Sequence, residues 1–215
     1  MSANSRLALF GEAPMPIAAA APAPLAPETR PFAPPGLYCP PDVETSYKQF
    51  GTSCGHAAIA ALVGCKVADV ARVQPKPYTS PSAAEEALRA LGAAPVKHVP
   101  RETGRAARWP ARGLVIVQKT GPWTRPEVPI AAAYRHLHCI ATVRITGLGT
   151  WVYDHNAGPS DVAAANMGVL GEEYGGWLLQ EMWQRLVMES LVAETKRATG
   201  WYPRVSFEVP ERRSP

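Results

Sequence analysis

The chain has 215 residues, 47% of them hydrophobic and 19% charged, and a formal net charge of +4. That length suits one domain of about 150–200 residues plus tails, and that composition excludes global disorder. So mild a charge calls for neither a nucleic-acid nor a membrane partner, and no apolar run approaches the ~18–20 residues that span a bilayer.

In chain order, residues 1–41 form a Pro/Ala-rich arm. Its prolines, among them Pro14, Pro16, Pro22, Pro34 and Pro35, deny it helix and sheet ladders, so extended or polyproline conformations are expected. A linker, a docking arm and a pro-segment all fit that composition. Glu12 and the prolines interrupt the short apolar run 7–10, which is no signal-peptide core, and a soluble intracellular protein is expected.

The globular part is expected to begin near Asp42. Gln49-Phe-Gly-Thr-Ser-Cys54-Gly55-His56 runs into Ala57-Ala-Ile-Ala-Ala-Leu-Val63, which sets a cysteine where a loop becomes a helix. A helix N-terminus offers unpaired N–H groups and a partial positive charge, and both favour thiolate over thiol. With the Gln49 amide, the same N–H groups can stabilise an oxyanion. The alternative is a buried structural cysteine opening an ordinary helix. His56 is expected to point away from the thiol.

The helix should stop at Gly64, and Val67–Val73 is a second, shorter one. Ser82-Ala-Ala-Glu85 reads as a capping box for a helix that stops at Gly92. A short strand is expected at 96–99. Arg101, Arg105, Arg108 and Arg112 surround Trp109, an arrangement that can hold nucleic acid; with no nucleic-acid motif beside it, a solvated loop is the better reading. Residues 113–119 are apolar enough for a buried strand, and 121–129, with three prolines, form a loop that can border a cleft.

His136-Leu-His138-Cys-Ile-Ala-Thr-Val143 and Thr150-Trp-Val-Tyr-Asp154 read as a β-hairpin. With its loop at Ile145-Thr146-Gly147, Arg144 pairs with Leu148 and His138 lies opposite Asp154. Asp154 then accepts the Nδ1 proton of His138 and leaves Nε2 as a base. With the loop at Gly147-Leu148-Gly149 that pairing is lost. His136 is the rival base, and Asn156 the rival partner for the ring. Tyr47, Trp123 and Trp151 suit either a cleft wall or a core. Beyond the hairpin, 177–198 reads as one helix with Trp177, Met182, Trp183, Leu186, Val187 and Leu191 on one apolar face, packed on its own domain or open to a partner. A last strand is expected at 201–209 and a frayed tail at 210–215.

The four cysteines (Cys39, Cys54, Cys65, Cys139) contain no C-x₂-C pair and no compact secreted framework, so free thiols are expected and zinc is not. No metal or organic cofactor is called for.

The order Gln49, Cys54, His138, Asp154 resembles the papain-like cysteine peptidase superfamily, most closely its bacteriocin-processing, double-glycine leader peptidase-like branch. The likeness covers roughly residues 43–158. It is carried by Gln49 and Cys54-Gly55 opening a helix, His138 opening a strand, Asp154 ending the next strand sixteen residues on, the helix near 83–91 and the strand 113–117. The chain departs from that branch in three places. Gln49 stands five rather than six residues before the cysteine, Ser53 stands where Asp is common, and His155 rather than Pro follows Asp154.

The resemblance implies an α+β fold in which a helical subdomain carrying the nucleophile packs on an antiparallel β-sheet. It implies a peptidase core at 42–158; beyond Asp154 the likeness fades, and the residues themselves lead to the expectation of a C-terminal extension at 159–215 whose Trp-rich helix packs on that core. The resemblance also implies cleavage of an amide or peptide bond through a thioester, with a protein or peptide as substrate. Cys54 would be the nucleophile, His138 the base, Asp154 its orienting partner and Gln49 an oxyanion donor. Two alternatives remain open: a deamidase or isopeptidase using the same triad, and an inactive module docked into a larger assembly by its Pro-rich arm and Trp-rich helix.

Overall fold

Alternation along the central strands sends apolar side chains to both faces of one sheet, and helices cover each face. The computed structural model describes residues 36–77, 79–100, 106–158, 169–170 and 175–210. Most of the Pro/Ala-rich arm, Arg101, Arg105 and the tail from 211 lie outside the described residues. Helices α1 (Val43–Phe50), α2 (Cys54–Val63), α3 (Val67–Val73) and α4 (Pro81–Ala90) come first. Strands β1 (Val96–His98) and β2 (Arg112–Thr120) follow, then the short helix α5 (Ile130–Tyr134). The hairpin β3 (Leu137–Ile145) and β4 (Gly149–Asp154) leads to β5 (Val169–Leu170) and β6 (Gly176–Leu179). Helix α6 (180–194), with a π-helical stretch at Gln184–Met188, and β7 (Gly200–Glu208) complete the fold.

The seven strands form one sheet in the order β1-β7-β2-β3-β4-β6-β5, with every neighbouring pair antiparallel. Leu114, Ile116, Cys139, Ala141, Trp151 and Tyr153 face the helical half and pack with Ile59, Leu62, Val70 and Leu88. Their alternates Val115, Val117, Ile140 and Val152 face α6 and pack with Trp183, Val187 and Met188. The molecule is thus α+β, with an antiparallel sheet between two apolar layers. Coverage of both faces explains why β2 reads as an unbroken apolar run. Each fully buried Ile, Leu or Val contributes about 1.5–3 kcal/mol relative to exposure.

Polar ties fix the helical half. The Asp42 carboxylate accepts the Val67 and Ala68 N–H groups at 2.9 and 3.0 Å and the Ser46 hydroxyl at 2.9 Å, joining the starts of α1 and α3. The Arg112 guanidinium donates to the Leu62 carbonyl near the end of α2 and to the Val209 carbonyl at 3.4 Å. This arginine of the expected solvated loop is therefore structural.

Several boundaries stand as expected: α2 ends at Gly64, left-handed at φ 78°, and α3 covers Val67–Val73. Others move. The cap of α4 is Ser80, whose hydroxyl accepts the Ala83 N–H at 3.2 Å. Pro81 takes the first helical position, where its fixed φ suits the turn, so Ser82 is not the cap. The hairpin loop is Thr146-Gly147-Leu148, because Ile145 pairs with Gly149 and Arg144 with Thr150; neither expected turn forms. The expected helix at 177–198 is shorter at both ends. Residues Trp177–Leu179 are strand, paired with Trp151–Tyr153 of β4, because ladder bonds and burial outweigh their helical spacing. Strand β7 lies between β1 and β2. The segment after residue 158 therefore completes the sheet instead of extending a finished core.

Among the described residues no single helix is long and apolar enough to cross a membrane. The bent pair α2 and α3 passes by composition, but the apolar side chains that give it that character lie in the core.

Candidate active site

Cys54 is the first residue of α2, and its neighbours brace that helix start. Ser53 is extended (φ −126°, ψ 175°) and precedes the first turn. Its N–H donates to Nδ1 of His56 at 3.1 Å, while Nε2 of His56 lies 2.8 Å from the Gln74 carbonyl. The ring thus carries its proton on Nε2, and burial keeps its pKa below the usual imidazole value. Both His56 nitrogens are thus engaged, Nδ1 by the start of α2 and Nε2 by Gln74 at the end of α3. Gly55 is required by packing: a Cβ there would lie 2.0 Å from Thr79 Oγ1. That hydroxyl in turn accepts from Gln74 Nε2 at 2.9 Å.

The hairpin supplies His138 and Asp154. Continued outward, the β3–β4 register sets His138 opposite Asn156 and diagonal to Asp154. The register differs from the expected one by two residues, which preserves the side-chain face. The two groups therefore still meet, with His138 Nε2 2.7 Å from Asp154 Oδ2. This corrects the expected tautomer. The diagonal offset lengthens the reach, and the outer ring nitrogen spans it, so Nε2 faces the carboxylate and Nδ1 remains for the thiol.

Asp154 is fully buried and held from several sides. Oδ2 also accepts the Trp183 indole N–H at 2.8 Å, Oδ1 accepts the Asn156 backbone N–H at 2.9 Å, and His155 Nδ1 stands 3.6 Å from Oδ1. Burial alone would raise its pKa, but the charge and hydrogen bond of His138, with His155, hold it far below the usual carboxylate range. Burial likewise pulls His138 down, yet the charge and hydrogen bond of Asp154, helped by Cys54, raise it to about 10. A hydrogen bond from the Cys139 thiol, opposed by burial and joined by the bond and charge of His138, lowers Cys54 well below an ordinary thiol. The two shifts, Cys54 downward and His138 upward, both favour a thiolate–imidazolium pair.

Three of the four residues singled out in the sequence thus converge. Gln49 does not join them: it is exposed in the last turn of α1 and lines neither of the two clefts beside the helix start. Helix α1 runs on to Phe50 before Gly51 (φ 62°) turns the chain. The glutamine is therefore set on a helix surface, not in the loop that approaches Cys54. His136 precedes β3, stacks on Trp123 with ring centres 3.5 Å apart, and is pushed to lower pKa by burial, Lys119 and Arg135. It has no place in the relay. Asn156 contributes its backbone, not its amide. Trp151 is core, while Tyr47 is 66% exposed and lines a cleft.

That cleft, of ≈ 440 Å³, is walled by Val43, Tyr47, Thr52, Ala57, His155 and Asn156, among others. A second, of ≈ 380 Å³, is lined by Cys54, Thr79, Tyr134, Arg135, Leu137 and Cys139, with Ser80. Among the described residues, His138, Asp154 and His155 bring potential metal-ligand atoms within 4.8 Å of one another. Asp154 Oδ2 is already shared by His138 and Trp183, which is the geometry of a hydrogen-bonded relay and not of an open coordination shell.

Trp183 is the member sequence reasoning missed. The sequence places it in an apolar stripe, although a buried indole N–H needs an acceptor, and that need is the one signal available. Comparison of the chain with protein-family models, with curated proteins and with solved structures gives no match.

Proposed function

We propose that the chain is a papain-like cysteine hydrolase that cleaves an amide or peptide bond through a thioester. The observation that carries this reading is the buried relay from Asp154 through His138 to Cys54 at a helix N-terminus. The Cys54 thiolate attacks the amide carbonyl, and the backbone N–H groups opening α2 stabilise the oxyanion. His138 then gives its Nδ1 proton to the leaving amine. The neutral ring next takes a proton from water, which attacks the thioester and frees the acid. Asp154 keeps the ring oriented and favours its charged form, and Trp183 and the Asn156 N–H fix the carboxylate. The clefts of ≈ 440 and ≈ 380 Å³ beside Cys54 suit an extended peptide crossing the start of α2.

The exposed Gln49 favours a second reading, in which the same fold serves as a binding module of a larger assembly. A peptide library separates the two. Products formed by the full chain and lost in Cys54→Ala support the hydrolase; identical product profiles from both proteins refute it. Release of ammonia without chain cleavage assigns the triad to a deamidase.

A further inference from the structure

Cys54 has a thiol neighbour that the hydrolytic cycle does not use. Cys139 is buried in the sheet, one residue beyond His138, on the face that packs against the helical half. Cys54 packs against that same cluster, and both cysteines line the cleft of ≈ 380 Å³. Each thiol shifts the other, Cys54 downward and Cys139 upward, as close neighbours do, and neither is in a disulfide. In the proposed hydrolytic cycle Cys139 makes or breaks no bond and carries no proton; its part there is confined to lowering the Cys54 pKa. The two other cysteines also pack against this layer, but neither lines the cleft that Cys54 and Cys139 share. Burial pushes the Cys39 thiol up to about 12 despite a backbone hydrogen bond, and Cys65 lies past the C-terminal end of α2, remote from its start.

We propose that Cys54 and Cys139 form an oxidisable pair, in which hydrogen peroxide converts Cys54 to a sulfenic acid and Cys139 closes it into a disulfide. This modification site rests on the same thiolate as the hydrolase reading. In the first step the Cys54 thiolate attacks one peroxide oxygen and the O–O bond breaks. The departing hydroxide takes the imidazolium proton of His138 and leaves as water. In the second step the Cys139 sulfur attacks the sulfenic sulfur, and its proton passes through His138 to the departing hydroxide. Two thiols lose two electrons and one peroxide is reduced to two waters. The elevated pKa of Cys139 keeps it protonated until a sulfenic partner forms. The order of events is thus set: Cys54 is oxidised first and Cys139 resolves it. Closing the disulfide removes the nucleophile, and reduction restores it, which protects Cys54 from irreversible oxidation to the sulfinic acid.

The test treats the reduced full chain with hydrogen peroxide, blocks remaining thiols, digests the protein and reads the cysteine peptides by mass spectrometry. The expected product is a Cys54–Cys139 linked peptide that disappears on dithiothreitol treatment. In Cys139→Ser, Cys54 should instead accumulate as sulfinic acid, with loss of dithiothreitol-recoverable thiol. A wild-type protein in which Cys54 goes to sulfinic acid while Cys139 is recovered as a free thiol overturns the proposal, and that result needs no variant to fold. Iodoacetamide labelling of the untreated chain keeps the two readings apart. Rapid labelling of Cys54 without a disulfide under peroxide sinks the oxidisable pair and leaves the hydrolase standing; absence of rapid labelling sinks both.

Discussion

At the scale of single residues, the relay works because opposing effects are unequal. Burial disfavours charge on Asp154, His138 and Cys54 alike, yet each is surrounded by groups that prefer its charged form. Removing one charge should collapse the others. In Asp154→Asn the buried His138 loses the charge that opposes desolvation, so its pKa falls from about 10. The thiol midpoint of Cys54 then rises toward an ordinary value. Iodoacetamide labelling near pH 6 should slow about tenfold for each pH unit by which that midpoint climbs above the assay pH, as stopped labelling followed by mass spectrometry will show.

Trp183→Phe keeps the packing and deletes the N–H to Asp154 Oδ2. It should cost about 1.5–3 kcal/mol at pH 7, the usual worth of a hydrogen bond to a charged group. The sign with pH follows from the depressed carboxylate: its stabilisation is present above the unfolded value near 3.9 and is lost as pH falls toward the native value. Urea unfolding should therefore show both proteins losing stability below about pH 4, while the gap between them persists until Asp154 protonates in the folded variant, well below the ordinary carboxylate range. Cys54, His138 and Asp154 were legible in the sequence because their chemistry is carried by residue type and order. Trp183 and Cys139 were not, because their contacts are made across 29 residues of chain to Asp154 and from a strand to a helix start.

At the scale of elements, the start of α2 is positioned by what lies behind it. Thr79 fills the space a side chain at position 55 would need, and His56 closes the turn onto Ser53 and Gln74. Gly55→Ala should lower stability by roughly 1–3 kcal/mol, as overpacking does, and should also slow Cys54 labelling because the helix start shifts. Gly51→Ala serves as the contrast: space is open there, so its cost comes from the left-handed backbone alone and should leave Cys54 reactivity unchanged. Helix ends were readable where a glycine takes a left-handed φ, as at Gly64. Strand β6 was not, since Trp177-Leu-Leu has the same apolar character in a strand as in a helix, and only its pairing with β4 decides. The hairpin shows why a wrong turn did little harm. A register error of two residues keeps every side chain on its face, so His138 still finds Asp154.

For the whole molecule, the sheet order ties the hairpin that carries His138 and Asp154 to the end of the chain. Strand β7 pairs along most of β2, and α6 supplies both the second apolar layer and the Trp183 contact. A chain cut after residue 158 should therefore lack a cooperative urea transition, whereas the full chain should show one. The resemblance to papain-like enzymes covers residues 43–158, whereas the sheet is completed by β7 near the end of the chain. The account as a whole rests on an activated Cys54. Its most direct test is the rate of Cys54 alkylation by iodoacetamide from pH 4 to 11, with Cys65 in the same molecule as internal reference and His138→Ala as partner. The account predicts that Cys54 reacts faster than Cys65 at neutral pH, with a midpoint well below the ordinary thiol range, and that both advantages vanish in His138→Ala. Equal rates at the two cysteines, unchanged by the His138 substitution, would contradict it.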